Sequence, residues 1–92
     1  MQNDTLILTD GTKKHVSPKN GTDYELEELQ EFVGGFIEVV SSPDGEQIMV
    51  INEEGLLLDL DINIEASRLY YSWHKGYPIV GNVLVTSTDK VK

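Results

Sequence analysis

The stretch Phe36-Ile37-Glu38-Val39-Val40-Ser41-Ser42-Pro43-Asp44-Gly45-Glu46-Gln47-Ile48-Met49-Val50-Ile51 decides the fold. Two runs rich in β-branched residues, Phe36 to Val40 and Gln47 to Ile51, flank Ser42-Pro43-Asp44-Gly45. Proline presets φ, aspartate bonds its own backbone and glycine accepts positive φ, so these four residues make a turn. A connection this short joins only antiparallel neighbours, which predicts a hairpin.

On the amino-terminal side of that hairpin, Thr22 and Glu25 have the spacing of a capping box, and Tyr24 to Val33 has helical periodicity stopped by Gly34-Gly35. At about 100° per residue, Leu26, Leu29, Phe32 and Val33 fall on one side, and Glu27, Glu28 and Glu31 on the other. Earlier still, Thr5 to Thr9 and Thr12 to Val16 flank Asp10-Gly11, a second hairpin signal.

On the carboxyl-terminal side, Asn52-Glu53-Glu54-Gly55 turns the chain. Leu56, Leu58, Leu60 and Ile62 then alternate with Leu57, Asp59 and Asp61, as in an extended segment with one wet face. Asn63 is placed to cap a second helix from Ile64 to about Lys75, ended by Gly76 and Pro78. Ile79 to Thr86 is nearly continuous in apolar character and predicts a central closing strand; Ser87 to Lys92 reads as a frayed tail.

The fold class these elements predict is α+β, a mostly antiparallel sheet of about five strands with two helices packed on one face, in a single domain over residues 1–92. The expected core is Leu29, Phe32, Val33, Ile37, Val39, Ile48, Val50, Leu69, Trp73, Val80, Val83 and Val85.

Three stretches taken together carry a resemblance. They are Leu26 to Val40, Asn52-Glu53-Glu54-Gly55, and Ile79-Val80-Gly81-Asn82-Val83-Leu84-Val85, in that order and spacing. The chain resembles the domain of unknown function 3846 family over residues 23–86, and Asn63-Ile64-Glu65-Ala66-Ser67 is similar to that family's Asn-x-x-Ala stretch. Asp61 and Ile62 stand where the family pattern leads us to expect a proline. The resemblance implies small proteins of phages, plasmids and conjugative elements, hence a bacterial cytoplasm, and it brings no catalytic residue with it.

Composition narrows the chemistry. The 92 residues contain no cysteine, which excludes disulfides, thiol nucleophiles and Cys-based zinc sites. Seven Lys and Arg against sixteen Asp and Glu give a formal charge of −9, which repels nucleic acid and anionic membranes. No apolar run approaches a membrane span or a signal sequence, so the expected location is the cytoplasm.

No residue pattern points to catalysis, and a non-enzyme without cofactor or metal is expected. His15 lies in a predicted hairpin and His74 at a helix end, where a cation is favoured for structural reasons. Asp59-Leu60-Asp61-Ile62-Asn63 begins like a calcium loop, but Ile64 stands where glycine is needed and Tyr70 where a bidentate glutamate is needed. Gly34-Gly35 precedes a strand, whereas phosphate loops follow a strand and open a helix.

Two binding readings remain. Asp23, Tyr24, Glu27, Glu28 and Glu31 form an acidic stripe that could contact a host protein, including by imitating a nucleic-acid backbone. Duplex DNA carries a charge every 1.7 Å or about that, so −9 matches only about four to five base pairs. The alternative partner is a small anionic ligand such as a nucleotide, stacked on Tyr71 and neutralised by Arg68 and Lys75 on the outer side of the second helix. A solvated helix surface accounts for either set without any ligand.

Overall fold

The computed structural model describes residues 4–91 except 75 and 77. Five strands form one antiparallel sheet: β1 (Asp4–Ile7), β2 (Lys13–Val16), β3 (Ile37–Ser41), β4 (Gln47–Asn52) and β5 (Val83–Ser87), in the order β2-β1-β5-β4-β3. Two helices, α1 (Leu26–Val33) and α2 (Ile64–Trp73), complete the α+β architecture expected from the sequence.

The apolar run of the closing strand has the expected consequence: β5 is central, and Val83, Leu84 and Val85 are all buried. Successive side chains of a strand point to opposite faces, so a strand buried along its whole length needs cover on both. The helices supply it separately. α1 brings Leu29 and Val33 against Ile48, Val50 and Leu84. α2 brings Ala66, with Leu69, Tyr70 and Trp73, against Met49, Val83 and Val85. Those two sets alternate along β4 and β5, so α1 and α2 lie over opposite faces where the sequence reading puts both over one. The same alternation explains why Met49 and Leu84 are fully buried although absent from the expected core, and why Val39, on the edge strand β3, is exposed instead.

Local signals shift by a few residues. α1 starts at Leu26, because the reciprocal capping box forms between Glu25 and Glu28 and not between Thr22 and Glu25. Gly34 closes it in the left-handed conformation at φ 81°. Asn63 caps α2 as expected, its side chain accepting from the Ala66 amide, but α2 stops at Trp73 with His74 as C-cap, short of Lys75, which lies outside the described residues.

Two segments differ more. Residues 53–59 form successive turns instead of an extended segment, and Ile62 alone makes a β-bridge, to Val80. The chain after β5 does not fray where it is described. Thr88–Lys90 forms a 3-10 turn, the Tyr24 amide donates to the Lys90 carbonyl at 2.8 Å, and Val91 packs under α1.

Candidate protein-interaction surface

Leu56, Leu57 and Leu58 follow one another in the turn-rich segment after β4 and are 69%, 85% and 53% exposed. The segment that carries them is firmly held. Buried Asn52 donates from Nδ2 to the Val33 carbonyl (3.1 Å) and accepts the Glu54 amide on Oδ1 (2.8 Å). The Leu58 amide then donates to Glu54 O (2.9 Å) and the Leu60 amide to Gly55 O (3.1 Å), one helical turn that Asp59 ends at φ 56°. Aspartate is among the few side chains that tolerate that conformation.

Gly55 makes this anchoring possible. A methyl group there would come within 2.6 Å of Val80 Cγ2, a stiff β-branched side chain. We expect Gly55→Ala to cost about 2 kcal/mol through overpacking, read as a melting temperature lower by roughly 10 °C. An unchanged melting temperature would show that Val80 yields freely.

Beside the leucines lies a cleft of about 410 Å³ between β3, β4, the Gly55–Leu57 turn and the end of α2. Val40, Ile51, Leu56, Leu57, Tyr70 and Val80 supply its apolar wall, and among the described residues the charged ones lining it, Glu38 and Glu53, are both acidic. The cleft is therefore shaped for an apolar group with a cation beside it.

The acidic stripe read from the sequence is partly taken up by the fold. Tyr24 is buried, its hydroxyl donating to Asp4 Oδ2 at 2.7 Å; burial first, and then the neighbouring carboxylate, push its pKa well above the ordinary phenol value. Glu28 is buried too, accepting the Lys19 amide (3.1 Å) and the Glu25 amide (3.0 Å). Asp23 accepts from Asn20 Nδ2 at 3.0 Å. Glu27 and Glu31 remain exposed on α1.

For the anion reading, Tyr71 is 62% exposed and Arg68 is exposed beside it, both bordering a shallow apolar depression with Ile62, Ile64 and Pro78. Arg68 already pairs with Glu65 at 3.3 Å, and Lys13 approaches the same carboxylate at 3.7 Å. Lys75 lies outside the described residues. Among the described residues no group of acidic and histidine side chains is arranged to hold a metal, and no helix is long and apolar enough to cross a membrane.

The family model described as Domain of unknown function (DUF3846) matches residues 4–92. The chain belongs to that family. The match takes in β1 and the segment after β5 as well as the stretch that carries the resemblance, so Asp4 and Lys90, which meet across the molecule, both fall within the DUF3846 region. No curated protein and no solved structure matches the chain.

The cleft escaped sequence reading because its walls come from positions as far apart as Glu38 and Val80. The run Leu56-Leu57-Leu58 was the available signal: three successive leucines cannot all face inward from a strand with one wet face.

Proposed function

We propose that this DUF3846 protein is a non-enzymatic interaction module that docks a partner protein on the apolar cleft and the leucine turn beside it. The observation that carries this reading is the exposure of Leu56, Leu57 and Leu58 on a turn held by a buried asparagine and a buried glycine. Exposed apolar side chains that cluster on an ordered element mark interaction sites more often than scattered ones do. A host-cell protein in the cytoplasm as the partner belongs to the proposal, and rests on the mobile-element setting that the family resemblance implies.

The two earlier binding readings have less support. A nucleic-acid mimic needs a continuous negative stripe, whereas Tyr24 and Glu28 are buried in structural roles. A nucleotide at Tyr71 would meet the Glu65 carboxylate that already holds Arg68.

Leu57→Asp tests the proposal. The side chain is almost wholly exposed, so its replacement should change stability by no more than about 0.5 kcal/mol. Quantitative affinity capture should show proteins retained by the natural chain and reduced at least tenfold by Leu57→Asp, while Glu27→Lys with Glu31→Lys leaves them in place. Equal capture by the natural chain and Leu57→Asp would sink the reading. Loss with the helix substitutions alone would return the acidic stripe.

A further inference from the structure

The sheet order leaves β2 and β3 at its two edges, and the sequence treats those edges differently. β2 carries Lys13, Lys14 and His15, all exposed, and lysines on an edge discourage further strand pairing. β3, Ile37-Glu38-Val39-Val40-Ser41, has no lysine.

The ladder shows which backbone groups of β3 are open. The Glu53 amide donates to Phe36 O (2.9 Å) and the Ser42 amide to Gln47 O (2.8 Å), bracketing a register in which Glu38 faces Ile51 and Val40 faces Met49. Bonded and non-bonded pairs alternate in an antiparallel ladder, so Glu38 and Val40 bond to β4 while Ile37, Val39 and Ser41 turn their N–H and C=O groups outward. His74 Nε2 meets the Ser41 carbonyl at 2.8 Å and closes that end. Among the described residues none bonds the outward groups of Ile37 and Val39.

The alternate side chains of the strand, Glu38 and Val40, line the cleft with Ile51, Leu57 and Tyr70. A strand laid along β3 would thus set alternate side chains at the mouth of an apolar cleft whose charged groups among the described residues, Glu38 and Glu53, are acidic, on a chain of charge −9. We propose that β3 accepts an extended segment of a partner protein in which apolar side chains alternate with lysine or arginine. Main-chain bonds to Ile37 and Val39 give affinity in such strand addition, and the cleft gives selectivity. A second copy of the chain fits less well, because it would bring another Glu38 and another nine negative charges to the same edge. This inference rests on the docking reading above.

Selection from a random linear peptide library on the full chain, followed by titration of the enriched peptides, tests it. Enriched peptides should alternate apolar residues with Lys or Arg. Val39→Pro removes an outward N–H without breaking the β4 ladder and should weaken them at least tenfold, and Glu38→Lys should abolish their preference for basic residues. Methylating the peptide amides in one alternate register should stop binding while the other register retains it, a result that needs no protein variant. Binding that survives both Val39→Pro and methylation in either register but is lost in Leu57→Asp would overturn strand addition and leave the docking reading standing. Binding indifferent to all of these would overturn both. Enriched peptides without the alternation, no enrichment, or self-association abolished by Val39→Pro would each overturn the partner assigned here.

Discussion

Asn63→Ala is expected to destabilise the protein by about 4 kcal/mol, close to the whole stability of a marginal domain of this size. Asn63 is fully buried and uses its amide in three places. Nδ2 donates to the Ile7 carbonyl at 3.0 Å and to the Gly81 carbonyl at 2.9 Å, and Oδ1 accepts the Ala66 amide at 3.0 Å. One side chain thereby caps α2 and ties it to the end of β1 and to the turn before β5. Alanine would orphan a helix amide and the Gly81 carbonyl out of reach of water, each costing about 1–3 kcal/mol, and would take from the Ile7 carbonyl the donor it has besides its ladder partner Val83.

Asn63→Asp separates the two roles. Aspartate caps a helix about as well as asparagine, so a residue that only caps would tolerate the change. Here a carboxylate would face two carbonyl oxygens in a buried site, and thermal or urea unfolding should show a loss comparable to that of alanine. A neutral Asn63→Asp would show that the cap is the whole role. The Asn-x-x-Ala stretch of the DUF3846 resemblance acquires a physical meaning from this geometry. The asparagine must reach three partners, and the residue three positions on, Ala66, is completely buried and sits within the core against the sheet.

What the sequence makes legible is local chemistry. The Ser42-Pro43-Asp44-Gly45 turn, the Gly34 stop and the Asn63 cap are each set by residues within a few positions, and each stands where it is expected, with Gly45 at φ 76°. The division of the helices between two faces is not local. Its signal was present in Val83-Leu84-Val85, a run that only a doubly covered strand explains, yet the alternation in Gln47 to Asn52 invites a reading with one covered face. Leu56 to Ile62 failed for a related reason. Alternation there favours a strand, but Gly55 packing on Val80 and the buried bond of Asn52 to the Val33 carbonyl hold the segment in turns, and those partners lie 19 or more residues away. The acidic stripe is read from helical spacing alone. It lost Tyr24 and Glu28 to partners at Asp4, Lys19 and Glu25, and the tie from Tyr24 to Asp4 spans 20 residues that helical periodicity does not see.

Asp4→Ala should cost about 3 kcal/mol and lower the melting temperature by roughly 15 °C, a large effect for a residue near the start of β1. The buried carboxylate accepts the Tyr24 hydroxyl at 2.7 Å, the Thr86 hydroxyl at 2.8 Å and the Lys90 ammonium at 3.1 Å, so it joins β1, the approach to α1, β5 and the turn that follows β5. Lys90 is partly exposed and can turn to water, whereas the two hydroxyls lose their acceptor inside the protein. The same cluster sets a response to alkali. Burial and Asp4 raise the Tyr24 pKa in the folded chain above the ordinary value near 10, so the neutral phenol is favoured by folding. Its contribution is fully present below about pH 10 and declines as pH rises, because above that value the unfolded chain loses the proton and the folded chain keeps it. Unfolding free energy should therefore fall by up to about 1.4 kcal/mol per pH unit between about pH 10 and 12. Tyr24→Phe should lower stability at neutral pH, by removing the bond to Asp4, and flatten that alkaline slope. Urea titrations at several pH values read both quantities, and a slope that persists unchanged in Tyr24→Phe would assign the alkaline response to another group.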